Sequence, residues 1–240
     1  MEREPRPAAV LELAGVTKQY GALRPLRIER LLVSPGESVA LIGLDQPAAE
    51  VFINLITGAS LPDTGVVTIF GRPSGDITDS TDWLTTLDRF GIVSERAVLL
   101  DGLSVIQNLA VPFSLDIEPP QPDVRERAVA LAREVGLAER VWNARIADLG
   151  AVERIRVRLA RTLAMDPSLL ILEHPSATLE SADAPALAAA VRAIADRRGA
   201  AAITLTMDAK FAAASSRVLT LQPATGRLTE GLCGRIRFWS

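Results

Sequence analysis

ARTLAMDPSLLILEHP, residues 160–175, is the stretch that decides the fold. Leu169, Leu170, Ile171 and Leu172 form an unbroken apolar run. It is too short for a helix and shows no alternation, so it predicts a strand buried on both faces, the kind found in parallel sheets. Upstream, residues 152–165 form an amphipathic helix. Ile155, Leu159 and Leu163 recur every four positions, with Arg154, Arg156, Arg158 and Arg161 set among them. A helix leading into a buried parallel strand is half of an α/β alternation.

The alternation extends in both directions. Strands are expected over residues 10–16, 24–33, 37–42, 65–70, 91–94, 201–206 and 217–221. Residues 48–57 read as a helix closed by Gly58, and residues 104–109 as a short helix opening on a Ser104 cap. Residues 123–135 form a helix stopped by Gly136, and residues 184–197 an Ala-rich helix ending near Gly199. Three prolines within residues 117–122 break the chain in its helical middle. The expectation is one domain over residues 1–240. A mostly parallel sheet part (10–97 and 166–240) would carry an antiparallel β part and an inserted helical part (about 98–165).

Composition narrows the chemistry. The chain has 240 residues and a net charge of −3, so no basic field draws it to nucleic acid. One Cys, Cys233, and one His, His174, exclude a disulfide framework and a Cys/His zinc cluster. Only two lysines are present, Lys18 and Lys210, so lysine-dependent chemistry has two candidate positions. Residues 1–9 lack the apolar stretch of a signal peptide, which makes the cytoplasm the expected compartment.

The order of the pieces resembles an ABC-transporter ATPase, with its P-loop NTPase-like α/β fold. The opening LELAGVTKQY, residues 11–20, resembles the first strand and the adenine-stacking aromatic, here Tyr20. PGESVALIG, residues 35–43, resembles the strand entering the phosphate loop, and NLITG, residues 54–58, the helix leaving it. LPDTGVVTIFG (61–71) is similar to the following hairpin, and DGLSVIQNLAVP (101–112) to the segment after the glutamine loop. ARTLAMDP (160–167) and LLILEHP (169–175) resemble the signature helix and the Walker B strand, and RVLTL (217–221) the late strand.

At the catalytic positions the pattern breaks. A phosphate loop uses glycines to expose backbone N–H groups, a Lys for the phosphates and a hydroxyl for Mg²⁺. Here Gly43 is followed by Leu44, Asp45, Gln46, Pro47, Ala48, Ala49, Glu50 and Val51. Ala49 stands at the Lys position and Glu50 at the hydroxyl position. A carboxylate about 4 Å from a phosphate costs about 4 kcal/mol per charge pair at an effective dielectric near 20. Glu50 can instead sit favourably in the first turn of its own helix. The glutamine-loop position holds Glu95. The signature reads Leu149, Gly150, Ala151, Val152, Glu153. Glu173 replaces the Mg²⁺ carboxylate Asp, His174 the general-base Glu, and Met207 the switch histidine. The D-loop stretch, residues 176–180, keeps the family's shape.

These departures imply a degenerate, pseudo-ATPase subunit of a membrane transport complex, with no cofactor expected. The resemblance implies a transmembrane permease as partner and a dimer with itself or with another ABC ATPase. It places the chain on the inner face of the membrane, with lipid or lipoprotein export systems the nearest in look. The alternative is an unusual active ATPase in which Glu173 holds Mg²⁺ for ATP and His174 acts as base. His174 is a general base on that reading and a structural replacement on the other. Tyr20 is an adenine platform or an ordinary packing residue. The four arginines of residues 154–161 are a solvated face or a contact for an anionic partner. The terminal residues 235–240, with two aromatics, dock on the chain itself or on a partner.

Overall fold

The computed structural model describes residues 9–77 and 79–231. Cys233 and the aromatic terminus at 235–240 lie outside the described residues. Two sheets form the frame. The first is antiparallel, built from β1 (Leu11–Lys18), β2 (Leu26–Val33), β4 (Thr64–Ile69) and β5 (Arg72–Pro73), in the order β2-β1-β4-β5. Alternating buried and outward residues in β1 and β2 put one face of this sheet on the core.

The second sheet has six strands. They are β3 (Ser38–Ile42), β6 (Phe90–Val93), β7 (Leu169–Glu173), β8 (Ala201–Thr206), β9 (Arg217–Gln222) and β10 (Arg227–Glu230). Their order is β10-β9-β3-β8-β7-β6, parallel throughout except for β10 against β9. Every residue of β3, β7 and β8 is buried, as the unbroken apolar run at 169–172 predicts. Ile42 pairs with Thr206, Glu173 with Leu205, and Val93 with Leu172. The register therefore brings the C-terminal ends of β3, β8, β7 and β6 to one edge. Ligand sites of open α/β sheets lie outside such an edge.

Helix α1 (Gln46–Ile56) leaves β3 and packs Phe52, Ile53, Leu55 and Ile56 between the two sheets. It begins two residues before the expected Ala48, which puts Glu50 beyond the first turn where it was expected. Asp45 caps it, and Pro47 fits the first turn, where no N–H partner is needed. Gly43, before the cap, has φ +100°, and a Cβ there would stand 2.8 Å from the Leu221 carbonyl oxygen. The chain turns this closely against β9 only with glycine. Helix α2 (Ser80–Leu87) lies against the end of α1, where the Trp83 indole donates to the Thr57 carbonyl at 3.1 Å.

Between β6 and β7 the chain is helical. It forms α3 (Val105–Ala110), α4 (Pro122–Glu134) and α5 (Ala151–Leu163). Ser104 and Gln107 close a reciprocal capping box on α3. Buried Asn108 exchanges hydrogen bonds with both backbone groups of Leu100. The long α6 (Ala184–Arg198) ends at Gly199 in the left-handed conformation, and the short α7 (Ala209–Ala212) follows β8. Among the described residues no helix is long and apolar enough to cross a membrane.

Candidate functional site

The edge formed by β3, β7 and β6 opens into a cleft of about 320 Å³. It is lined by Gln46, Ser94, Glu95, Arg96, Glu173, His174 and Ala177. Four of these, Gln46, Glu95, Glu173 and His174, are positions singled out in the sequence, and the fold brings them together. Glu173 closes β7 with its side chain only 1% exposed. A buried carboxylate needs partners, and Glu173 has two. The Gln46 amide donates to Oε1 at 2.8 Å. The Arg96 guanidinium donates through Nε to Oε2 at 3.3 Å and through Nη2 to both oxygens at 3.0 and 3.1 Å. The third guanidinium nitrogen, Nη1, lies 2.9 Å from Oε1 of Glu50 on α1. Arg96 therefore bridges the two positions at which the family pattern holds Mg²⁺.

The sequence reading missed Arg96. Its one trace is a gained negative charge at position 50 with a positive charge next to Glu95, and pairing the two requires the sheet register.

The loop entering α1 is also satisfied from within. The Asp45 carboxylate accepts the Ala48 N–H at 2.9 Å, and the Asp45 carbonyl accepts the Ala49 N–H at 2.8 Å. These are backbone donors a phosphate would need. Ala49, at the Lys position, is 0% exposed and sits in the apolar core with Ala48 and Phe52, while Val51 packs at its margin. Tyr20 packs at the margin of the same core, and burial first, then the Asp45 carboxylate, push its phenol pKa up.

His174 follows Glu173 with φ +43°, a conformation β-carbon residues rarely adopt. Its N–H donates to the Leu205 carbonyl at 2.8 Å, and its carbonyl accepts the Ala177 N–H at 3.0 Å. Its Nε2 is enclosed without a hydrogen-bond partner, so nothing orients the ring through that nitrogen. Met207 does not reach this cleft. It lines a neighbouring one of about 330 Å³ with His174, Ser176, Ala177, Thr206 and Asp208. The stretch Leu149, Gly150, Ala151, Val152 and Glu153 stands apart, at the start of α5. Its Val152 and Glu153 border a separate recess of about 230 Å³.

The arginines of α5 stay partly exposed. Each also donates to a backbone carbonyl. Arg154 reaches Leu149 and Ala147 at 3.2 and 3.1 Å, and Arg156 reaches Gly136. Arg158 reaches Ala97 at 3.3 Å, and Arg161 reaches Val98 at 2.7 Å. Burial lowers the pKa of Arg161.

The residues present do not fit Mg-ATP. The lysine and both later glycines of the phosphate loop are absent, Asp45 holds a donor of the loop, and a guanidinium stands where the cation would. Among the described residues no three His, Cys, Asp or Glu side chains gather to hold a metal ion.

Comparison with known proteins gives a consistent family. The family model described as ABC transporter matches residues 28–177. The lipoprotein-releasing system ATP-binding protein LolD of Maricaulis maris (strain MCS10) is 32% identical over 92% of this chain and 96% of its own length. LolD 2 of Caulobacter vibrioides is 31% identical over 89% of this chain and 94% of its own length. Among solved structures, a dimeric ATP-binding cassette in a post-hydrolysis state bound to ADP and Pi superposes with TM-score 0.72 at 22% identity, covering 92% of this chain and 98% of its own. The cbiO1 protein of Clostridium perfringens, part of the ABC transporter complex cbiONQ, superposes with TM-score 0.78 at 18% identity over 93% of this chain and 88% of its own. These two likenesses concern the fold.

Proposed function

The chain belongs to the ABC transporter family, and on that premise we propose that it is an ATPase-like subunit without ATPase chemistry. Its place is structural or regulatory, in a membrane transport complex. The observation that carries this reading is the Arg96 guanidinium held between Glu50 and Glu173. A site built this way gives a nucleotide-bound cation no pair of free oxygens. The carboxylates of Glu50, Glu95 and Glu173 also gather near that guanidinium, and such a field repels a polyphosphate.

The LolD relatives support a role in a lipid- or lipoprotein-related export system. On this reading the partners are a transmembrane permease and a second ATPase-like subunit, either another copy or an intact homologue. The chain works on the cytoplasmic face of the membrane, attached through the permease. It acts as one ABC ATPase-like unit, with residues 98–165 as its helical subdomain and the rest as its sheet core. Apolar side chains left outside that core offer the permease a docking face. Val98 is 75% exposed, with Leu100 and Met165 also exposed nearby in sequence or fold. Met165 lines a shallow groove of about 220 Å³ with Ala97, Leu99, Pro112, Arg158, Arg161 and Thr162.

Calorimetry of the purified chain with millimolar Mg-ATP tests the loss of chemistry. No binding and no hydrolysis are expected. Stoichiometric tight binding with turnover overturns the reading and favours an ATPase that uses Glu173 and His174. Affinity capture of the tagged chain from detergent-solubilised membranes tests the partner. A permease in the eluate supports the assembly, and its absence argues for a chain that acts away from the membrane.

A further inference from the structure

We propose that Arg96 is a tethered cation that takes the place of a divalent ion between Glu50 and Glu173. It thereby clamps the loop that follows β6 onto the core without any nucleotide. The proposal rests on the reading that the site does not take Mg-nucleotide, and it goes further by saying what holds the site together instead.

Charge gives the first argument. Glu173 is buried and needs a positive partner, and Glu50, with its side chain 51% exposed, stands on the other side of the same guanidinium. In place of a metal, the chain supplies a planar guanidinium that serves both at once. Nε and Nη2 face Glu173 while Nη1 faces Glu50. An ammonium is a point charge on a flexible stem and cannot present such a fork to two carboxylates. The Gln46 amide completes the shell around Glu173 at 2.8 Å.

Connectivity gives the second argument. The three charged side chains come from α1, the loop after β6, and β7, so the guanidinium joins elements far apart in sequence. The same loop is held at its other residues. The Arg96 N–H donates to the Ser94 hydroxyl at 3.1 Å, and the Thr178 hydroxyl donates to Glu95 at 2.9 Å. The carbonyls of Ala97 and Val98 accept from Arg158 and Arg161, and Leu100 is paired on both backbone groups with Asn108. Arg96 is the member that reaches the sheet edge. It fixes the segment carrying exposed Val98 and Leu100 in one orientation.

The test uses the full chain and Mn²⁺ alone, with no nucleotide. Wild type is expected to show no Mn²⁺ binding in the sub-millimolar range and the same melting temperature with and without the ion. Arg96→Gln is expected to melt several degrees lower and to exchange its amides at 94–100 at least about tenfold faster. It is also expected to bind Mn²⁺ at least about tenfold more tightly than wild type, with the ion restoring both stability and protection. Adding Glu50→Gln to Arg96→Gln should remove the gained affinity. Should Arg96→Gln not fold, Arg96→Lys carries the exchange measurement, and faster exchange at 94–100 supports the clamp.

Wild-type Mn²⁺ affinity equal to that of Arg96→Gln overturns the proposal. So does loop exchange that neither substitution alters. Tight Mg-ATP binding by wild type would instead overturn the proposed function. A missing Mn²⁺ gain in Arg96→Gln, with wild type still refusing Mg-ATP, overturns only the tethered cation.

Discussion

At the scale of single residues, the lost lysine is more than a vacancy. Ala49 faces the core at 0% exposure, beside Phe52. Restoring a lysine there would bury an ammonium with no carboxylate reserved for it, at a cost of several kcal/mol. Ala49→Lys is therefore expected to lower the melting temperature sharply and to gain no affinity for Mg-ATP, which a thermal melt and a titration check together. A second residue pair reports on pH. Glu134 on α4 receives two bonds from Arg198 on α6, at 2.7 and 2.8 Å. These bonds hold its carboxyl below the ordinary 4.5, against the opposing effect of burial. A lowered folded-state pKa stabilises above the unfolded value and loses that contribution as pH falls through the folded value. Arg198→Leu is expected to cost stability at about pH 7 and much less at about pH 3. Melts of both proteins at the two pH values check the sign.

At the scale of elements, periodicity and caps made much of the fold legible, and neighbours in space supplied the rest. The apolar run at 169–172 announced β7, Ser104 announced α3, and Gly199 marked the end of α6. Helix α1 starts two residues before the expected Ala48 because the Asp45 carboxylate caps it there. The arginines of α5 were legible as a stripe but not as donors. The acceptors at 97, 98 and 136 sit on segments that only folding brings within reach, while those of Arg154, at 147 and 149, lie just before the helix. Arg96 was hidden for the same reason. Its two carboxylates are 46 and 77 residues away. The positions of the candidate site were readable by spacing, but the contacts that fill it were not.

At the scale of the molecule, the cleft and the exposed apolar patch share one loop. The cleft side is closed by ion pairs and the outer side carries Val98 and Leu100. If that outer side seats a permease, Val98→Asp with Leu100→Asp is expected to abolish recovery of the membrane partner in affinity capture. The melting temperature should move little, since surface changes are usually worth within about 0.5 kcal/mol. Recovery at the wild-type level would exclude this face. The close approach of Gly43 to the Leu221 carbonyl has a wider consequence. That glycine is the first letter of a phosphate loop, and here its duty is clearance between a strand end and β9. The buried run of β7 is likewise a packing requirement. Scaffolding and ligand handling thus draw on separate letters of the same motifs. A chain can therefore keep the letters that the sheet demands, and so read as a member of the family, independently of the letters that contact nucleotide.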